Sequence, residues 1–204
     1  MFDSDEDERL ARALELYDSE EYAAAEPLLR DLAERGDVVA QFKLGNLLDR
    51  TDREAESIRW LRAAAEGGHT GAMINLGIQL GGDEEVTWLR RAVDLGHPVA
   101  LRNLGLLLWE RGDVSEATEL LEGGAARGNG WAAAALAVML KHEDDAAARH
   151  WALQAASLGC RQGHTLLTAW ALDDDENESG LDWALRGLEV PTSDVNESVV
   201  FGNL

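Results

Sequence analysis

The sequence predicts an all-α protein of about six stacked helix pairs, and three observations carry that expectation. First, one glycine keeps returning: Gly36, Gly68, Gly96, Gly128 and Gly159 each close an amphipathic stretch, at spacings of 32, 28, 32 and 31 residues. Second, the register around it is fixed. Four residues on stands a small residue (Ala40, Ala72, Ala100, Ala132, then Gly163), and four further a leucine (Leu44, Leu76, Leu104, Leu136, Leu167). Eight residues before each glycine comes a large apolar residue: Leu28, Trp60, Trp88, Leu120 and Trp151. A period near 30 with this register marks a stacked repeat, in which each unit is stabilised mainly by its neighbours. Third, the chain is 46% hydrophobic and rich in Ala, Leu, Glu and Arg, as folded helical proteins are.

Each repeat reads as a helix A, a polar turn and a helix B. Helices A are expected near 8–18, 38–49, 70–81, 98–111, 130–142 and 161–172. Helices B are expected near 20–35, 53–67, 84–95, 115–127, 145–158 and 180–189. Asp52, Asp83 and Ser115 stand where a side-chain oxygen would satisfy an orphan N–H at the start of a helix B. The recurring glycine suits a left-handed close to each helix B. Pro27 falls within 20–35; it either lies near enough to the first turn to cost little or bends the helix. The spacing of Tyr22, Ala25, Leu28, Leu29 and Leu32 keeps the helical expectation there. The chain thus divides into an acidic N-terminal extension (1–7), a repeat solenoid with one continuous core (8–189) and an irregular tail (190–204) ending in Val199, Val200 and Phe201. That apolar ending is expected either to cap the last repeat or to dock on a neighbouring molecule.

Composition narrows the function. The net charge is -21, which disfavours phosphate backbones and anionic membranes as partners and favours a basic protein. No apolar run nears the roughly 20 residues that cross a bilayer. The opening, with Asp3, Asp5, Glu6, Asp7 and Glu8, is the opposite of a basic-then-apolar leader. The single cysteine, Cys160, makes no internal disulfide, so the cytoplasm is the expected compartment. The acidic run Asp173, Asp174, Asp175, Glu176 and Glu178 reads as a solvated end rather than a metal site.

The runs Ala40-x3-Leu44-Gly45, Ala72-x3-Leu76-Gly77 and Ala100-x3-Leu104-Gly105 resemble the first-helix pattern of Sel-one-like repeats, relatives of tetratricopeptide repeats. Trp60-Leu61-x-Ala63-Ala64-x3-Gly68 and Trp88-Leu89-x2-Ala92-x3-Gly96 resemble the second. Residues 8–37, with Tyr17, Tyr22, Ala25 and Leu28, look more like an ordinary tetratricopeptide unit. Later units depart from the pattern: Ala137 replaces the helix A glycine and Gly163 the alanine. The resemblance implies a right-handed α-α superhelix serving as a scaffold or adaptor without chemistry of its own. Some bacterial members of the family are immunity proteins that neutralise toxins.

Candidate chemistry is sparse. His69 and His97 follow the recurring glycine directly, where Asp37, Asn129 and Cys160 stand in the other repeats. Stacking would line these up as a ladder for metal or a reactive thiol. Adjacent repeats lie about 10 Å apart, however, whereas zinc needs ligands at about 2 Å. Small polar residues also suit a turn between helices whatever the function. His142, Glu143, Asp144 and His150 show no spacing that puts two ligands on one helix face, and His164 is alone. Trp60, Trp88, Trp151 and Trp183 share a repeat position and read as core. No catalytic residue, metal or cofactor is expected, and the chain reads as a non-enzyme.

In helix-pair solenoids, helices A line the concave face. Counting from each Leu-Gly pair selects Phe42, Asn46, Ile74, Ile78, Arg102, Leu106, Trp109, Trp131, Ala134, Val138 and Lys141 as inward-facing. That set is apolar, with two bases and no acids, in a very acidic chain. Grouped apolar residues with Trp and Arg mark interaction sites. The expectation is a groove for a peptide or protein segment, with Arg102 and Lys141 pairing with a carboxylate. A tightly wound superhelix would instead bury these residues in its own core. The alternative function is an immunity-type inhibitor that covers a basic toxin or nuclease with its acidic surface.

Overall fold

The computed structural model describes residues 4–173, which fold into two compact units divided between Leu95 and Gly96. The first holds α1 (Ser4–Asp18), α2 (Tyr22–Glu34), α3 (Val38–Asp49), α4 (Glu54–Glu66), α5 (Thr70–Leu80) and α6 (Gly82–Asp94). The second holds α7 (Pro98–Glu110), α8 (Val114–Ala126), α9 (Gly130–Leu140), α10 (Asp145–Ser157) and α11 (Arg161–Asp173). All regular structure among the described residues is helical. Odd-numbered helices are the expected helices A and even-numbered ones the helices B. The expected helix at 180–189, with Trp183, and the tail at 190–204 lie outside the described residues. The division between the two units falls after α6, which buries Leu89 and Ala92.

The recurring glycine has a conformational role. Gly36 (φ 95°), Gly68 (91°), Gly96 (80°), Gly128 (85°) and Gly159 (75°) are all left-handed, and a Cβ on any of them would meet open space. After Gly36 the chain closes α2 with two backbone bonds: the Gly36 N–H to the Ala33 carbonyl and the Asp37 N–H to the Leu32 carbonyl, both 3.1 Å. The same pair of bonds recurs at Gly68, Gly128 and Gly159.

The residue after the glycine then caps the next helix A. Asp37 Oδ1 accepts the Ala40 N–H at 2.7 Å, His69 Nδ1 accepts that of Ala72 at 3.1 Å, and His97 Nδ1 that of Ala100 at 3.4 Å. Asn129 Oδ1 accepts from Trp131 and Ala132 at 3.0 and 3.2 Å. Four members of the ladder considered for metal or thiol chemistry, Asp37, His69, His97 and Asn129, are therefore occupied in helix capping. The expected caps of helices B are corrected. Asp52 is left-handed (φ 57°) and lies before Arg53, the residue that precedes α4. Asp83 lies inside α6, and Ser115 inside α8. Among these helices B, Asp144 caps α10 by accepting the Ala147 N–H at 3.0 Å.

α1 starts at Ser4, four residues before the expected 8, so part of the acidic extension is helical. Acidic side chains suit a helix N-terminus, and Glu6 reaches Arg35 beyond the end of α2 at 3.1 Å. Pro27 lies inside α2, which runs on without a break.

The small residues mark close approaches, as their spacing suggested. Ala40, Ala72, Ala100 and Ala132 are fully buried. A Cβ on Gly45 would come within 2.7 Å of Leu61 Cγ, and one on Gly105 within 2.5 Å of Leu121 Cγ, so these glycines let a leucine of helix B reach the backbone of helix A. Of the repeated tryptophans, Trp60 is buried in the core of the first unit, Trp151 packs at the edge of an α9–α11 cluster with Ala152, Leu167 and Trp170, and Trp88 is half-buried. An ion-pair network joins α2 to α4 and the turn before it: Glu26 accepts from Arg30 and Arg53, both at 2.8 Å, and Glu56 from the same two at 3.2 and 2.9 Å.

Candidate interaction surface

In the first unit, Phe42 and Asn46, both expected to face inward, are engaged by side chains outside the expected set. The Phe42 ring stacks on the capping His69, centroids 4.1 Å apart. Gly71 makes room for this contact, since a Cβ there would stand 3.3 Å from Phe42 Cζ. Asn46 Oδ1 accepts from Asn75 Nδ2 at 2.7 Å, and the Asn46 side chain also hydrogen-bonds to the Tyr17 hydroxyl, whose pKa burial nonetheless pushes up. Lys43 Nζ sits 4.5 Å over the Tyr17 ring and 3.6 Å from Asp18. Gln79 Nε2 donates to Asp49 at 2.7 Å and to the fully buried Ser57 hydroxyl at 3.1 Å. Of the two isoleucines, Ile78 is 49% exposed, whereas Ile74 is buried, a correction to its place on an open face.

Sequence reasoning missed Tyr17, Lys43, Asn75 and Gln79, which make this face polar. A signal was available: Lys43 and Asn75 occupy the same repeat register, one residue after Phe42 and Ile74. Amides and a lysine there belong to neither an apolar anchor set nor a helix-packing seam.

The second unit is different. Arg102, on α7, lies over the Trp131 ring of α9 with its guanidinium carbon 5.6 Å from the centroid. Its Nε is buried without a hydrogen-bond partner. Burial pulls its pKa below the ordinary value, partly offset by Cys160, and no carboxylate among the described residues contributes to the balance. Other arginines contrast with it: Arg9, Arg30, Arg53 and Arg149 each have a carboxylate within 3 Å. Leu106, Trp109, Trp131 and Val138 are half-buried, and Lys141, at the end of α9, is exposed. Ala134 is fully buried, which removes it from the expected set. The structure thus brings Arg102 and Trp131 together with an unmet hydrogen-bonding capacity.

Among the described residues, no group of three His, Cys, Asp or Glu side chains is placed to hold a metal, and no helix is long and apolar enough to cross a membrane. Cys160 and His164 are both buried in the second unit.

No family model matches the sequence, and no curated protein matches it. Solved structures do. A protective antigen of uropathogenic Escherichia coli displaying an SLR fold aligns with a TM-score of 0.56 at 20% identity, over 83% of this chain and 45% of that one. The chain therefore spans less than half the length of that antigen. PilF of Pseudomonas aeruginosa aligns with a TM-score of 0.63 at 19% identity, over 89% of each chain. An immunity protein from Pseudomonas aeruginosa aligns with a TM-score of 0.58 at 19% identity, over 90% of this chain and 75% of that one. These likenesses show the fold, a helical repeat of the SLR and tetratricopeptide type.

Proposed function

We propose that this chain is a non-catalytic protein-interaction module of the cytoplasm that holds a peptide or protein segment against its helices A. The observation that carries the reading is the face of the second unit. There, Leu106, Trp109, Trp131 and Val138 stay half-exposed beside Arg102 and Lys141, in a chain of net charge -21. Aromatic, aliphatic and arginine side chains grouped in this way are where binding energy concentrates. Phe42, Asn46 and Ile78 form the corresponding face of the first unit, where hydrogen-bonded amides leave Ile78 as the exposed apolar group.

The test is affinity capture from native extract with the wild type and an Arg102→Ala/Trp109→Ala variant, identifying bound proteins by mass spectrometry. A partner held by the wild type and lost by the variant supports the reading. A partner held equally by both removes the second unit's face from it.

A second reading is favoured by the acidity and by the similarity to an immunity protein: an inhibitor that covers a basic toxin or nuclease. Binding through exposed acidic side chains would weaken steeply between 50 mM and 500 mM salt, because screening acts on exposed charges. Binding through the half-buried apolar groups would change little.

A further inference from the structure

We propose that Asn129 is a site of spontaneous covalent modification, at which the side-chain amide is lost to attack by the Gly130 backbone nitrogen whenever the N-terminal cap of α9 opens. The inference stands apart from the peptide-binding reading and does not depend on it.

Capping and packing together place the reactive pair. In each repeat the residue after the recurring glycine caps, and the next one opens helix A: Asp37-Val38, His69-Thr70, His97-Pro98 and Asn129-Gly130. Asn129 is the one asparagine of the sequence followed by glycine. Glycine is imposed here by space, since a Cβ on Gly130 would stand 2.7 Å from Cys160 Cβ and 3.3 Å from Leu158 Cβ. Both residues are half-buried, so water reaches them.

The surroundings favour attack at the side-chain carbon. Glycine leaves the attacking nitrogen without a side chain beside it and free to turn. That nitrogen opens α9, where an N–H has no acceptor within its own helix. Asn129 Oδ1 accepts from the Trp131 and Ala132 N–H groups at 3.0 and 3.2 Å, donors that draw electrons from Cγ and stabilise the negative charge formed on attack. In the reaction the Gly130 nitrogen gives its proton to hydroxide and bonds to Cγ. The Cγ–Nδ2 bond breaks, and Nδ2 takes a proton from water and leaves as ammonia. Water then adds to either carbonyl of the cyclic imide, opening it to aspartate or to isoaspartate.

The cap itself restrains this chemistry in the folded chain. Ring closure needs the Gly130 nitrogen on the side-chain side of the Cα–C bond, whereas a ψ of 99° at Asn129 turns it away. Asn129 Nδ2 also donates to the carbonyl oxygen of Pro98, the first residue of α7, at 3.1 Å, which holds the side chain in place. Both restraints go when the end of α9 frays, and helix ends are where local opening costs least. Conversion has structural consequences. Aspartate keeps an acceptor for the Ala132 N–H and has no donor for Pro98, so the tie between α7 and α9 is lost. Isoaspartate adds a methylene to the main chain at the cap and carries the acceptor away from Ala132. Either product puts a new negative charge two residues from Trp131.

The test incubates the full chain at pH 8.5 and 37 °C for two weeks, in native buffer and in 6 M guanidinium chloride. Peptide mapping with fragmentation that separates aspartate from isoaspartate follows each asparagine, and Asn129→Ser, which keeps a capping oxygen and has no amide, is the control. Asn129 should convert ahead of every other asparagine in both solutions, and at least about tenfold more slowly in the folded chain. In the folded chain the rate should fall between pH 8.5 and pH 6.5, as attack by a deprotonated nitrogen requires. Hydrogen exchange at the Ala132 amide should stay slow in the aspartate form and quicken about tenfold in the isoaspartate form. Another asparagine converting first, or no conversion of Asn129 in the folded chain, overturns the site. Equal rates in the two solutions overturn the restraint by the cap, and unchanged Ala132 exchange in the isoaspartate form overturns the stated consequence.

Discussion

Gly163→Ala is the sharpest test of the packing, because two forces on it point in opposite directions. Gly163 lies in the first turn of α11, at the register that holds alanine in the earlier repeats. Helix propensity alone favours alanine over glycine by about 1 kcal/mol. A Cβ at Gly163, however, would stand 2.5 Å from Ala156 N, 2.7 Å from Ala155 Cβ and 2.9 Å from the Ala152 carbonyl oxygen. Backbone atoms of α10 cannot rotate aside as a leucine tip can. Restoring an ordinary contact of 3.4 Å to Ala156 requires α10 and α11 to part by about 0.9 Å. A gap of that size forfeits a quarter to a half of each contact's attraction along the interface, where Ala152, Ala156, Leu167 and Trp170 pack together. Overpacking of this kind costs about 1–3 kcal/mol, with rigid backbone partners placing it at the upper end. The net expectation is a loss of about 2 kcal/mol, or a fall in melting temperature of roughly 4–8 °C. Gly123→Ala is the control. Gly123 is inside α8, and a Cβ there would meet only the flexible Arg127 guanidinium at 3.5 Å, so propensity should win and stability rise by about 1 kcal/mol. Thermal melts followed at 222 nm decide the matter. A Gly163→Ala variant as stable as the wild type, or more so, would refute the argument that backbone proximity selected glycine.

Three further outcomes are expected. Burial holds the His97 pKa below its ordinary 6.5, so the unfolded chain binds more protons between the two values. Its contribution is complete above pH 6.5 and is lost as pH falls; in urea melts at pH 5.0 and 7.5, His97→Asn, which keeps a capping acceptor, should show a smaller loss than the wild type. Gln79→Leu strands the buried Ser57 hydroxyl and should cost about 1–3 kcal/mol by denaturant melting, with Gln79→Leu/Ser57→Ala recovering part of it. Hydrogen bonds first from Arg30 and then from Arg53 hold the Glu26 carboxyl below its ordinary value, so its stabilisation is present near neutral pH and lost on acidification below 4.5. Acid titration of Glu26→Gln should show a shallower loss there than the wild type; equal slopes would assign the acid sensitivity elsewhere.

Much of this architecture is local and therefore legible in the sequence. A left-handed glycine, a small polar residue and a buried alanine at fixed offsets describe a helix end, a cap and a close approach, all made within a few residues. That is why Gly36, Asp37 and Ala40 predict one helix boundary in detail. Where several local solutions compete, the spacing misleads. Asp52, Asp83 and Ser115 are all competent capping residues, and the backbone's path through each turn leaves them beside the cap position or inside the helix.

The exposure of the helix A faces needed the tertiary structure. Register placed Arg102 and Trp131 on helices A, but only packing shows that one lies over the other and that the Nε–H is buried without an acceptor. Register likewise could not separate Ile74 from Ile78. They are four residues apart on one stripe of α5, yet one is 4% exposed and the other 49%, because burial depends on which neighbouring helix crosses at that height. The sequence by itself determined the repeat, the helix pairs and the residues at their closest approaches, since those follow from backbone geometry and short-range periodicity. The tertiary structure decided which side chains are consumed by packing and which are left exposed, since exposure belongs to the assembled helices and to no single segment.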